Sequence, residues 1–84
     1  MKLIHFTAEW CGPCQMMKPM IDQVVSERDN LDYVQVDIDK EREYAISEQI
    51  MSVPTFILED DNGEVVTRFS GGMPKQKFLD ALGI

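Results

Sequence analysis

No third cysteine and no second histidine occur in this chain of 84 residues. Cys11 and Cys14 therefore have at most His5 to help complete a ligand set, and no metal is expected at the pair unless two chains share it. Basic residues are scarce as well. Eight Lys and Arg stand against 15 Asp and Glu, and the net charge of −7 repels phosphate backbones and anionic head groups, which argues against nucleic acid or a membrane surface as partner. Long apolar runs are missing too. Met1 to Ala8 has the layout of neither a secretory signal nor a membrane span, so a cytoplasmic or similarly reducing location is expected. No repeat, linker or low-complexity tract divides the chain, and so short a length supports one core, so residues 1–84 read as a single domain. The apolar content that is present, 44% spread along the whole chain, suits a folded globule.

Leu3 to Phe6 is short, largely apolar and β-prone, and runs into a turn at Glu9 to Gly12. Pro13 suits the first position of a helix, and Met17, Ile21, Val24 and Arg28 then recur at spacings of three and four. Pro19 falls inside that helix and is expected to kink it. Tyr33 to Ile38 reads as a second strand, joined to the first by a helix long enough for a parallel crossover. Glu41 to Gln49 predicts a second helix with Tyr44, Ala45 and Ile46 as its apolar face, and Val53-Pro54 ends any helix there. Thr55 to Leu58 and Val65 to Phe69 predict an antiparallel hairpin around Glu59 to Glu64, which reads as a solvated turn, since it lacks the glycine and distal Glu of a calcium loop. Gly71-Gly72 breaks the chain, and Pro74 opens a last helix that packs Phe78, Leu79 and Leu82 on the sheet. The order is β-α-β-α-β-β-α, an α/β class. Met16, Met17 and Met20, at helical spacing, are expected to fill core.

Two cysteines three positions apart at a helix N-terminus carry the chemistry. A disulfide across so short a loop constrains the unfolded chain little, so a structural staple is a poor use of the pair. The attacking species in disulfide exchange is a thiolate, and Cys11 precedes the unpaired N–H groups and the positive end of the helix dipole. Cys11 is thus expected to be an exposed nucleophile of low pKa, and Cys14, one turn on, the covered resolving thiol. A half metal site, a cluster bridged between two chains and a pair of inert core thiols are the other readings.

Ala8-Glu9-Trp10-Cys11-Gly12-Pro13-Cys14 resembles the active-site string of the thioredoxin family without a change. The resemblance extends through Pro19, Asp39, Val53-Pro54-Thr55, Asn62-Gly63-Glu64 and Gly71. It implies a minimal thioredoxin fold with a central four-stranded mixed sheet flanked by helices. It further implies that Trp10, Gly12 and Pro13 rim the sulfurs and that Val53-Pro54 faces them across a cis peptide bond. Pro54 would crowd the sulfurs and discourage metal, and Gly71 would leave room for a substrate strand. Trp10, Val53, Pro54, Gly71 and Gly72 are then the expected substrate-binding residues. Three features depart from the pattern. Leu3 stands where the family's second strand begins, which makes this chain's own second strand a bare sheet edge or a place for association. His5 replaces the family's buried Asp, with Gln35 in place of the accompanying Lys. Thr7 stands where a second Trp is usual. His5, at the relay position, is expected to support the site by taking a proton from Cys14.

The function implied is thiol-disulfide oxidoreductase, a protein-disulfide reductase and dithiol electron carrier that works through a mixed disulfide. No bound cofactor is expected. NADPH would act indirectly through a thioredoxin reductase, the substrates would be disulfide-containing proteins such as ribonucleotide reductase or peroxide-scavenging enzymes, and the chain would be a monomer. The rival readings are a glutaredoxin-like carrier recharged by glutathione, against which Trp10 and Gly12-Pro13 speak, and a non-catalytic binding subunit on the same fold.

Overall fold

The computed structural model describes residues Met1–Ile84. Strand β1 (Lys2–Thr7) is buried from Leu3 onward, because a strand runs along each of its edges and helices cover both of its faces. It pairs in parallel with β2 (Asp32–Asp37), from Lys2 opposite Asp32 to Thr7 opposite Asp37. On its other edge it pairs antiparallel with β3 (Thr55–Glu59), which in turn pairs antiparallel with β4 (Val65–Ser70). The result is a four-stranded mixed sheet in the order β2-β1-β3-β4. Helix α1 (Gly12–Ser26) makes the crossover between the parallel strands, α2 (Arg42–Ser47) follows β2, and α3 (Lys75–Leu82) closes the chain. All seven expected elements are present in the expected order.

The period-2 alternation of β1 and β3 divides the core between two faces. Leu3, Phe56 and Leu58 meet Met17, Ile21 and Val24 of α1 and Phe78 and Leu82 of α3 on one face. Phe56 anchors that layer, with its ring centroid 5.1 Å from Phe78 and 5.2 Å from Phe69. On the other face Ile4, Phe6, Val36 and Ile57 form a smaller cluster, and Phe6 meets Tyr44 of α2 at 5.5 Å. Pro19 sits within the continuous run of α1.

Two packing expectations are corrected. Helix α2 is shorter than Glu41 to Gln49 and buries only Ala45, while Ile46 stays 67% exposed. Six residues make less than two turns, so neighbours about 100° apart cannot share one narrow face. The same geometry separates Met17, which is buried, from Met16, which points outward and is 82% exposed. The hairpin turn is solvated as expected, with Asp60 Oδ1 accepting the N–H groups of Asn62 at 2.9 Å and Glu64 at 3.0 Å. Strand β2 lies at the sheet edge, with Val34 and Gln35 exposed. No helix is long and apolar enough to cross a membrane.

Candidate active site

Where β1 leaves the sheet, the Cys11 N–H donates to the Ala8 carbonyl at 3.1 Å and the Gln15 side-chain amide donates to the same oxygen at 2.8 Å. That turn delivers Cys11 to the N-cap of α1 in an extended conformation. Gly12 and Pro13 begin the helix, where the missing N–H of proline costs nothing, and Cys14 follows one turn on. The two cysteines are joined as a disulfide, with their Cα atoms 5.3 Å apart. Cys11 Sγ accepts the backbone N–H of Cys14 at 3.2 Å, and the first turn carries no acidic residue. The sulfur at the N-cap therefore faces a backbone N–H donor and the positive end of the helix dipole, which is the environment that favours a thiolate.

The expectation of an exposed Cys11 is corrected for this disulfide form. Cys11 is only 4% exposed and Cys14 is fully buried, because Ala8 is buried beside them and Val53 and Ile38 pack against the pair. Of the two, Cys11 is the one that reaches the surface. Trp10 forms the rim beside it, 68% exposed, and its indole N–H donates to Asp39 Oδ2 at 2.8 Å. Asp39 is held in turn by a bond from its own N–H to Asp37 Oδ1 at 2.9 Å. This partner of Trp10 was visible in the sequence only as a motif residue, without a role.

Val53-Pro54 has the cis peptide bond that the resemblance implies, and Val53 packs against the cluster of Ala8, Cys11 and Cys14. The Pro54 carbonyl accepts the Gly71 N–H at 2.9 Å, which ties the end of β4 to this loop. The demand for glycine at 71 is one of backbone, since its φ is +102° and an added Cβ would meet nothing within 4 Å. At Gly72 the demand is one of space, since a Cβ there would stand 3.2 Å from Pro13 Cβ. Arg68, which drew no attention in the sequence, spans from β4 to the end of α2 and donates to the Glu48 carbonyl at 2.7 Å and the Gln49 carbonyl at 2.8 Å. It thereby holds the start of the segment that leads to Pro54.

His5 is fully buried. Its ring stacks on Phe56, the residue opposite it on β3, at 4.6 Å. Nδ1 lies 2.9 Å from the Tyr33 hydroxyl, a pair that either tautomer satisfies, and Nε2 has no partner. Burial, and secondarily the charge of Lys18, pushes the imidazole pKa down to about 4. Burial, with Asp22 adding to it, holds the Tyr33 phenol protonated well above its ordinary range. The relay expected of His5 thus meets an imidazole that is neutral at physiological pH and a much weaker base than a free one, because its cation has lost its water.

The Thioredoxin family model matches residues 1–83. The chain is 40% identical over 81 residues to a thioredoxin of Listeria monocytogenes, across 95% of this chain and 78% of that one. It is 37% identical over 82 residues to the bifunctional thioredoxin reductase/thioredoxin of Mycobacterium leprae, across 96% of this chain and 16% of that one. The fold superposes on the crystal structure of oxidized mitochondrial thioredoxin 3 from Saccharomyces cerevisiae with a TM-score of 0.86 at 28% identity, covering 99% of this chain and 77% of that one.

Proposed function

This chain belongs to the thioredoxin family and is a thiol-disulfide oxidoreductase, and from that premise we propose that Cys11 is its nucleophile and Cys14 its resolving thiol. The observation that carries the assignment is the placing of Cys11 Sγ at the N-cap of α1, accepting the Cys14 N–H, while Cys14 lies deeper. In the reduced protein the Cys11 thiolate attacks one sulfur of a partner's disulfide. The partner S–S bond breaks, a Cys11–partner disulfide forms, and the displaced partner sulfur leaves as thiolate and takes up a proton. Cys14 then loses its proton and attacks Cys11 Sγ, which releases the second partner thiol and leaves the Cys11–Cys14 disulfide. Two electrons have passed to the partner.

Trp10, Val53, Pro54, Gly71 and Gly72 receive the partner chain around the sulfurs, and Gly12 and Pro13 shape the turn. His5 supports the strand beneath as a neutral imidazole. An imidazole whose pKa is pushed down to about 4 by burial is a poor acceptor for a thiol proton. The departing partner thiolate, a base as strong as the thiolate that Cys14 must become, is the better acceptor.

The cycle requires a donor that returns two electrons to the disulfide, and no group bound to this chain is needed for that. A thioredoxin reductase drawing on NADPH is the donor we favour, supported by a relative that joins the reductase and the carrier in one polypeptide. Disulfide-containing proteins such as ribonucleotide reductase are the substrates, and a monomer in a reducing compartment such as the cytoplasm is the working form. A coupled assay tests the reading: NADPH consumption with a thioredoxin reductase and a protein disulfide should depend on this chain and vanish in Cys11→Ser. NADPH loss that continues with the Cys11→Ser variant would overturn it.

A further inference from the structure

We propose that the groove between α1 and the turn from Gly72 to Lys75 is a specificity pocket, which takes an apolar side chain borne by the disulfide substrate two residues from its attacked cysteine. The proposal rests on the oxidoreductase reading above. The groove has a volume of about 360 Å³, room for a leucine or phenylalanine side chain. Its walls include Met16, Met17 and Met20 from α1 and Met73 from the turn, and Lys75 is its one charged residue.

The position of the groove ties it to the sulfurs. Pro13, which stands between Cys11 and Cys14, forms one wall, and Gly72 forms the other. A Cβ on Gly72 would come within 3.2 Å of Pro13 Cβ, so glycine lets the turn close against the helix and sets the near end of the groove. A substrate sulfur must sit against Cys11 for exchange to occur. In an extended chain the residue two places on points to the same side about 7 Å away, and Pro13, between the two cysteines in sequence, is itself a wall of the groove.

The lining chemistry specifies the occupant. Methionine is unbranched and polarizable, so a wall of methionines adapts to apolar side chains of different shape and gives no partner to a hydroxyl or a charge. Lys75 Nζ already lies 3.8 Å from Glu27 Oε1, which weakens any call on an incoming carboxylate. Met16, 82% exposed, is covered when the groove fills. Burial of its surface together with the guest's is the driving force.

The test uses two peptides that differ only in having Leu or Ser at the second position on each side of one cysteine, which is held in a mixed disulfide with thionitrobenzoate. The pre-reduced full chain attacks the peptide sulfur, thionitrobenzoate leaves as a coloured thiolate, and stopped-flow absorbance gives the second-order rate. The Leu peptide should react about ten-fold faster, the part of a full leucine burial that an open groove delivers. In a Met16→Gln/Met73→Gln variant that retains the parental circular dichroism and melting temperature, the ratio should fall to about one. Equal rates in the parent, or a preference that survives in the variant, would overturn the pocket and leave the oxidoreductase reading intact. Failure of the reduced, folded parent to react with either peptide would overturn both.

Discussion

Replacing His5 by glutamine removes the one group whose burial makes the fold sensitive to mild acid. In the folded chain the imidazole pKa is pushed from 6.5 to about 4, because the cation would sit without water between Phe56 and Tyr33. An unfolded chain binds a proton at this histidine as the pH falls through 6.5, while the folded chain stays neutral until about 4. Unfolding therefore takes up a proton in that window, and the linkage relation lowers stability by 1.36 kcal/mol for each pH unit well inside it. Between pH 7 and pH 5 the loss amounts to about 2 kcal/mol, with about 1 kcal/mol more by pH 4. Glutamine keeps a polar partner for the Tyr33 hydroxyl and does not titrate. Urea unfolding of the oxidised parent and His5→Gln at pH 7 and pH 5 should show the parent losing about 2 kcal/mol more than the variant, whatever the variant's stability at pH 7. An equal loss in both proteins would show that the imidazole is hydrated or paired in its charged form, and the argument against a proton relay would go with it.

The same variant should release reduced partner from the mixed disulfide at a rate within about ten-fold of the parent, and slowing by a hundred-fold or more, in the range of a lost acid–base group, would reinstate His5 as the proton acceptor. Cys14→Ser should trap covalent complexes with protein disulfides on non-reducing gels and Cys11→Ser should trap none, since only the first retains the attacking thiol without the release step; equal trapping would reverse the two roles. Arg68→Met, which removes two charge-assisted bonds to the Glu48 and Gln49 carbonyls from an exposed side chain, should cost about 1 kcal/mol in urea unfolding with an unchanged slope, and no loss would mean that water replaces the guanidinium freely. Gly71→Ala places an L residue at a φ of +102° and should cost roughly 1–3 kcal/mol with no help from packing, since no atom stands near the new methyl; a neutral result would mean that the turn relaxes.

Sequence pattern alone sufficed for the order of elements. Leu3 to Phe6, apolar but for His5, and Thr55 to Leu58, apolar after Thr55, lack polar alternation because helices cover both sheet faces, and the three-and-four spacing of Met17, Ile21 and Val24 marks the buried side of α1. The reacting pair was legible for a similar reason, since Cys-Gly-Pro-Cys carries its own turn and helix start. Tertiary relations were not. Nothing in the spacing joins Trp10 to Asp39, His5 to Tyr33, or Arg68 to the end of α2, pairs that lie 29, 28 and 20 residues apart. Met16 and Met17 look alike in a composition argument, and only the rotation of α1 against the sheet sends one into the core and the other to the groove. The accessibility of Cys11 also escaped, because it depends on how Val53 packs once the disulfide has formed.

The transfer of two electrons from this chain through Cys11 and Cys14 to a partner's disulfide is the core of the mechanism. It is tested most directly by mixing the pre-reduced protein with a defined protein disulfide in the absence of any other reductant, then counting partner thiols against disulfide formed in this chain by mass spectrometry. One partner disulfide should open for each Cys11–Cys14 disulfide made, and Cys11→Ser should open none. Partner thiols that appear without oxidation of the pair, or a Cys11→Ser variant that reduces the partner as the parent does, would contradict this mechanism.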